Sequence, residues 1–479
     1  MVRLLGLLRF LLLLFLFQHS SATEYSISTE KTTVNTRNHY YHLVVLVHGY
    51  MGSDREQEYL GEALIKRSKN SIQELLPNSK SNDNNNNNGI YDSCTSHHRH
   101  HEHQFVVLSS KANVGNSTDG IANGGQRLAA EIADWIQQHT AKVQLNSNSN
   151  STTIMTLSLI GNSLGGLYSR YALAELYYNN KHQQWHNKII PLVFCTTSSP
   201  HLGSSQETFI ELPRWLEPYV GTVMKQQTMD DLFGSNNSTI VMDMCTRSES
   251  LNDHSSSSLS DDKNMNSNEN RINNNHRDYL YPLEQFQKRI AVASAYNTDF
   301  LVSVSSAGIL SSDSNSVHYH QNPDYNDTTC FMTDTGTGTT RLMKNIDYVT
   351  LQVTTGTKSN TSTNTTKEGA SNDNNHSRKS CVDSLDQLGW HKIFLDARKI
   401  MPSWLQFTTP ELIPKVSYTS KELRTQFKRY GTLLPIAHPL NMANSRTDLY
   451  KELTKKGQPI MDALAELLIL DMIELSEKK

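Results

Sequence analysis

Between Thr153 and Ala174 an apolar run, Ile154-Met155-Thr156-Leu157-Ser158-Leu159-Ile160, passes without a linker into Gly161-Asn162-Ser163-Leu164-Gly165-Gly166 and then into helical periodicity. The order strand, tight turn, helix constrains the fold more than any other stretch. A serine on such a turn projects its hydroxyl above the end of a sheet, and only small neighbours let the two backbones pass that closely. An ordinary glycine-rich turn is the competing reading of the pattern taken alone. Behind it, however, Leu164, Leu167, Tyr168, Tyr171 and Ala172 recur at helical spacing and give the helix one packed face. Ser163 is therefore the candidate nucleophile.

The rest of the chain supplies the sheet that such a turn needs. Leu43 to Val47 is a continuous apolar run without alternation, the pattern of a strand covered on both faces, and it ends in His48-Gly49-Tyr50-Met51-Gly52. Short runs at Phe105 to Leu108, Ile189 to Cys195 and Ile290 to Ala293 are separated by helical patterns such as Leu128, Ile132, Trp135 and Ile136. Strands alternating with helices predict an α/β fold with a mostly parallel sheet flanked by helices. The candidate residues fall where strands stop, which is where open parallel sheets bind ligands. The segment Ser445 to Ser476 reads as mostly helical, with a break at Gly457-Gln458-Pro459.

A serine hydroxyl needs a histidine to take its proton and a carboxylate to orient that histidine. In the strand-turn-helix setting the chain order is Ser, acid, His. His438, in Leu433-Leu434-Pro435-Ile436-Ala437-His438-Pro439, stands near the C-terminus ahead of a closing helix, with His391, His318 and His320 as competitors. The small-residue run Ile290 to Ala295 delivers Asp299 into a loop, where the competing role is a turn cap; Asp313, Asp324 and Asp327 are reserves. Negative charge developing on a carbonyl oxygen calls for backbone N–H donors. Leu164 in the turn supplies one, and Tyr50 in the loop opened by His48 and Gly49 supplies the other.

The chain of 479 residues is only 37% hydrophobic because the dilution is local. Segments 78–103, 246–278, 311–328 and 356–380 are rich in Asn, Ser, Thr or His and read as disordered insertions within one domain spanning 41–479. The net charge of −3 argues against a nucleic-acid partner. Residues 1–22 join Arg3 and Arg9 to the apolar run Leu4 to Phe17 and to Ser20-Ser21-Ala22, which reads as a signal peptide. The run is short of the roughly 20 residues that an uncleaved anchor would need. The expected compartment is the secretory pathway, either the endoplasmic reticulum lumen or the exterior. A protein there is soluble or peripherally membrane-associated. Sequons at Asn116, Asn150, Asn236, Asn237, Asn326, Asn360, Asn364 and Asn375 are compatible with it.

Among the five cysteines, Cys195 lies in an apolar run and reads as a buried thiol, leaving Cys94, Cys245, Cys330 and Cys381 for disulfides. The tract His97 to His103 has no second ligand cluster beside it, so no metal is expected, and no phosphate-cradling or dinucleotide-binding glycine loop is present. No cofactor is expected. Within 209–231, Trp215, Leu216, Tyr219, Val220 and Met224 fit either an apolar lid or a packed helix, the helix being favoured.

Four blocks together resemble the DUF676 group of serine esterases and lipases in the α/β-hydrolase superfamily. They are Val45 to Gly52, the turn at Gly161 continuing through Ala172, the Thr197-Ser198-Ser199-Pro200-His201-Leu202-Gly203 loop, and Ala437-His438-Pro439. The resemblance implies an α/β-hydrolase fold, a triad of Ser163, Asp299 and His438, and an oxyanion loop at His48-Gly49. It also implies hydrolysis of lipid acyl esters, although the same chemistry serves any ester or thioester. Asn162 stands where many relatives carry His, and Phe300-Leu301-Val302 matches the segment after the family's acid only loosely. A hydrolase fold without turnover, acting as a binding module, and an acyltransferase using the same nucleophile are the alternatives.

Overall fold

The computed structural model describes residues 38–75, 101–146, 153–178, 189–205, 226–247, 277–295, 299, 301–310, 343, 349–354, 373–400 and 437–478. In chain order the elements are β1 (His39–Val47), α1 (Glu58–Leu75), β2 (Glu102–Ser109), α2 (Ile121–Asn146), β3 (Thr153–Asn162), α3 (Leu164–Tyr178) and β4 (Ile189–Thr197). There follow α4 (Gln227–Phe233), α5 (Ile240–Asp243), α6 (Leu280–Glu284), β5 (Lys288–Ser294), α7 (Val304–Ala307), β6 (Val349–Thr354), α8 (Asp373–Asp386) and β7 (His391–Leu395). The chain closes with α9 (Ala437–Asn441), α10 (Asp448–Thr454) and α11 (Gln458–Glu477).

One seven-stranded sheet, ordered β2-β1-β3-β4-β5-β7-β6, organises these elements. Its pairings are parallel except for β6, which runs antiparallel to β7 at the edge. The runs without alternation are explained by the two buried faces. Leu43, Val45, Val47, Leu157 and Leu159 pack on one side with Leu128, Ile132 and Trp135 of α2 and with Leu167 and Tyr171 of α3. Val44, Leu46, Ile160, Val193 and Ile290 pack on the other with Leu60 and Leu64 of α1 and with Leu464, Leu468 and Met472 of α11. The sheet, its two helical layers and the turn at Ser163 make an α/β-hydrolase fold.

Three expectations change in detail. Helix α3 buries every residue from Leu164 to Leu176 rather than one face, because α2 closes over it. A Cβ on Gly125 would lie 2.6 Å from the Tyr171 Cβ, so the glycine permits that close helix contact. Of the expected insertions, residues 78–100, 248–276 and 356–372 lie outside the described residues, and only the last residues of two of them belong to ordered elements, since β2 begins at Glu102 and α8 at Asp373. In β2 the polar His103 is buried among β1 side chains, and in α8 Cys381, Val382 and Leu385 join the core. Residues 1–22, segment 311–328 and the 209–225 part of the lid-like segment lie outside the described residues; its last residues form α4. The closing helix breaks as expected, with a short 3₁₀ turn at Lys455–Gly457 between α10 and α11. No helix among the described residues is long and apolar enough to cross a membrane.

A buried histidine pair joins the start of the sheet to the last helix. His42 bonds Thr156 Oγ1 through Nδ1 at 2.8 Å and His103 Nδ1 through Nε2 at 3.0 Å, and His103 Nε2 meets Glu477 Oε1 at 3.1 Å. Burial, followed by the neighbouring His103 and His39, pushes the His42 pKa well below its ordinary value. Burial likewise lowers that of His103, with Glu477 opposing. A histidine with a lowered folded pKa contributes stability that is present above its unfolded value near 6.5 and is lost as pH falls below it. Stability in urea should therefore decline below about pH 6.5, with a limiting slope of about 1.4 kcal/mol per pH unit for each such histidine. The decline should be shallower in His42→Gln; equal slopes in parent and variant would contradict it.

Candidate active site

The centre of the site is the turn between β3 and α3, where Ser163 adopts φ of +54°. An L-residue there costs of order 1–3 kcal/mol, held by its surroundings. Those surroundings are backbone. The Ser163 N–H donates to Thr197 O at 2.8 Å, and the Gly166 N–H donates to Ser163 O at 3.1 Å. A Cβ on Gly165 would collide with Val47 O and come within 2.7 Å of His48 O, and one on Gly161 would meet the Gly166 N and Cα at 2.6 Å. A Cβ on Gly49 would stand 2.7 Å from the Ser163 Cβ. The turn after β1 thus lies directly against Ser163, as the small residues of both motifs require.

Asp299 follows β5 and His438 lies on α9, 139 residues apart in sequence. They meet in a hydrogen bond of 2.8 Å between His438 Nδ1 and Asp299 Oδ2. Asp299 Oδ1 accepts the Val302 N–H at 3.3 Å, so the loosely matching segment after the acid still holds it. Helix α9 is tied to the end of β5 by Asn441 Nδ2 donating to Ser294 Oγ at 2.8 Å. The His438 side chain is 24% exposed and Asp299 only 4%, which leaves the imidazole reachable while its partner is shielded. Burial by itself would lower the His438 pKa. The Asp299 carboxylate, through charge and hydrogen bond, with Glu56 behind it, outweighs burial and the Arg446 charge and raises it.

Among the other histidines, His391 lies inside β7, bonded to Gln352 Oε1 at 3.1 Å, with its pKa pushed well down by burial. Its place is in the sheet core. His318, His320, Asp313, Asp324 and Asp327 lie outside the described residues. So do residues 97–100 of the histidine tract, and no group of three or more metal-binding side chains occurs among the described residues. Cys195 is a buried free thiol, and Cys245 pairs with Cys381; Cys94 and Cys330 fall outside the described residues.

In the turn after β1, the N–H of Gly49 donates to Glu56 Oε1 at 3.0 Å, that of Met51 to Ser117 Oγ at 2.7 Å, and that of Gly52 to Gly49 O at 3.1 Å. No acceptor for the Tyr50 N–H is found among the described residues. Leu164 opens α3, and the first N–H groups of a helix have no intrahelical acceptor. His48 is buried, with Nδ1 on Gly49 O at 3.0 Å. Burial lowers its pKa despite the nearby Glu56 charge.

Glu56, Asn162 and Arg446 surround these groups and carry no motif that the sequence reading could use, apart from the unusual Asn162. That residue donates from Nδ2 to Glu56 Oε1 at 2.6 Å and accepts from Thr197 Oγ1 at 3.0 Å. Arg446 Nη2 donates to Glu56 Oε2 at 2.8 Å.

Residues 88–309 match the family described as "Putative serine esterase (DUF676)". The matched stretch holds Ser163 and Asp299, ends before His438 and supports a serine hydrolase. Lipase BlEst2 of Bacillus licheniformis in its propeptide form is similar at 14% identity over 57% of this chain and 39% of that one, with a TM-score of 0.27. An extracellular α/β-hydrolase from a Paenibacillus species is similar at 12% identity over 33% and 40%, with a TM-score of 0.18. A gene product of Listeria innocua is similar at 11% identity over 55% and 76%, with a TM-score of 0.23. The chain therefore spans about two fifths of the first two structures, 39% and 40%. No curated protein sequence matches it significantly.

The crossing at the turn is testable without any substrate. Gly165→Ala pushes a methyl into backbone carbonyls that cannot rotate away, so it should lower unfolding free energy by about 1–3 kcal/mol or more. Urea denaturation followed by circular dichroism measures this; parent-like stability would mean that the two turns are not in contact.

Proposed function

We propose that this protein is a serine hydrolase that cleaves carboxylic esters, lipid acyl esters foremost, through an acyl-enzyme on Ser163. The observation that carries the reading is the Asp299–His438 hydrogen bond at 2.8 Å, found on the sheet end that also bears the positive-φ Ser163. His438 Nε2 takes the Ser163 proton as Oγ attacks the ester carbonyl, and Asp299 holds Nδ1–H so that Nε2 is the free base. The oxyanion is met by the N–H groups of Tyr50 and Leu164. As the tetrahedral intermediate collapses, the ester C–O bond breaks and the same proton passes to the leaving alcohol. Water then attacks the acyl-serine, giving its proton to His438, which returns it to Ser163 as the acid departs. No cofactor enters these steps.

Lipid acyl esters are placed first on the family resemblance, and peripheral contact with a membrane is the corresponding mode of access. The Cys245–Cys381 pair supports an oxidising, secretory compartment.

A fluorophosphonate probe should label the purified protein at Ser163, and adduct mapping by mass spectrometry should find none in Ser163→Ala. Labelling elsewhere, or none in the parent, refutes the nucleophile. Ester hydrolysis that is lost in both Ser163→Ala and His438→Ala excludes a binding module, and added alcohol acceptors reveal any acyl transfer.

The pH dependence follows from His438. The base works neutral and its pKa is raised, so kcat/KM should fall off on the acid side with a midpoint above 6.5 and stay level through mildly alkaline pH. Asp299→Asn should move that midpoint down and lower kcat by about 10²- to 10⁴-fold. A midpoint unmoved in the variant would remove Asp299 from the role.

A further inference from the structure

Glu56 takes no part in the proton transfers above, yet it touches the three segments that perform them. It stands in the turn that leads into α1 and is 1% exposed. Its Oε1 accepts the Gly49 N–H at 3.0 Å and the Asn162 Nδ2–H at 2.6 Å, and its Oε2 accepts Arg446 Nη2–H at 2.8 Å. Its main-chain oxygen accepts the Ser445 N–H at 3.3 Å. A buried carboxylate costs several kcal/mol unless it is paired and bonded. A tie for the C-terminal segment alone would require only the Arg446 contact.

The Gly49 N–H that Glu56 holds belongs to the His48–Gly49 peptide, and the next peptide, Gly49–Tyr50, is held at its carbonyl by other groups of the same turn. Gly49 O accepts from Gly52 N–H at 3.1 Å and lies 3.0 Å from His48 Nδ1, while the Gly49 N–H is held by Glu56. Because a peptide unit is planar, fixing the Gly49 carbonyl fixes the Tyr50 N–H on the opposite side of the same plane. A Cβ on Gly52 would sit 2.8 Å from His48 Nδ1, so the turn has no slack on that side.

We propose that Glu56 is the positioning residue of the oxyanion turn, aligning the Tyr50 N–H with Ser163 and keeping the His438 segment in register with both. This rests on the serine-hydrolase reading. Three donors converge on two carboxylate oxygens, and a glutamine there would set its own N–H groups against at least one of them. The charge has a second effect. The charged groups facing His438 are Asp299, Glu56 and Arg446, while Glu56 itself faces Arg446 and His48. Burial would raise the Glu56 pKa, but Arg446, then His48 and the Gly49 N–H, outweigh it and hold the carboxyl below its ordinary value. Glu56 is thus an anion throughout the working range and favours the protonated His438.

The test compares the full chain with Glu56→Gln, Glu56→Asp and Asn162→Ala, using a p-nitrophenyl acyl ester and the rate of fluorophosphonate labelling at Ser163. Glu56→Gln should lower kcat and the labelling rate by about 10- to 100-fold with KM within about twofold, since donors aimed at the transition state are displaced and ground-state binding is not. Its acid limb should move to lower pH. Glu56→Asp keeps the charge, so its acid limb should stay with the parent while kcat recovers in part. Parent-like kcat in Glu56→Gln, a change in KM alone, or an unmoved acid limb overturns the inference. Where Glu56→Gln does not accumulate as folded protein by circular dichroism, Asn162→Ala is read instead. It removes one donor and keeps the charge, so kcat should fall by about 3- to 10-fold with the acid limb in place; parent-like kcat overturns the inference. A parent that is not labelled at Ser163 overturns both the hydrolase reading and this inference, whereas a labelled parent with an unaltered Glu56→Gln overturns the inference alone.

Discussion

The site depends on one close crossing, where the turn leaving β1 passes over the turn leaving β3. The Cβ positions of Gly49 and Gly165 are occupied, in effect, by Ser163 and by the His48 carbonyl, at 2.7 Å in each case. That crossing sets the Gly49 backbone directly against the Ser163 side chain. It also accounts for the backbone strain at Ser163. A residue at φ of +54° is retained because both of its peptide neighbours are bonded, to Thr197 O on one side and from Gly166 N–H on the other. The glycines and the strained serine are thus two aspects of one geometric requirement.

Among the described residues, three buried cations are held by carboxylates or by main-chain oxygens. Lys392, fully buried in β7, bonds Asp386 Oδ1 at 2.6 Å and Ile309 O at 3.0 Å, and Arg398 pairs with Asp396 at 2.8 Å. Arg170 of α3 is different: it donates to His201 O at 3.3 Å and Met244 O at 2.7 Å, and burial lowers its pKa to about 9. Its place behind the 198–204 loop joins α3 to the end of α5, beside the Cys245–Cys381 pair. Buried pairs of this kind contribute little net stability, but removing one partner leaves a desolvated charge behind. They specify which segments must meet, as Glu56 with Arg446 does for the turn after β1 and the segment after α9.

Local sequence made the sheet and the turn legible. Leu43 to Val47 and Ile154 to Ile160 read as strands because both faces are covered, and Gly161 to Gly166 reads as a turn because steric crowding leaves little choice of residue. That His438 and Asp299 meet was legible through chain order and the runs that precede them. Glu56 and Arg446 were not, since each is an ordinary charged residue in a turn and their contact spans 390 positions. Only Asn162, unusual at its place in the motif, hinted that something other than a histidine packs there. Strand β6 was also illegible: its Val349–Thr354 sequence is half polar, and Gln352 is buried only because it bonds Met343 and His391.

The separation of these segments bears on how the insertions are tolerated. Loop-closure entropy grows only with the logarithm of length, each doubling costing about 0.6 kcal/mol. Lengthening a connection between elements is therefore cheap, provided that the ends of the loop are fixed independently. Helix α9 shows how this is met. Asn441 is tied to Ser294 at the end of β5 at 2.8 Å, and Arg446, five residues on, is tied to Glu56 at 2.8 Å, so His438 is held by anchors at the end of β5 and in the turn that leads into α1. With Asp299 bonded to the imidazole itself, His438 is located by three contacts that do not pass through the long connections preceding it. The low-complexity segments can then vary in length without carrying the histidine away from Ser163.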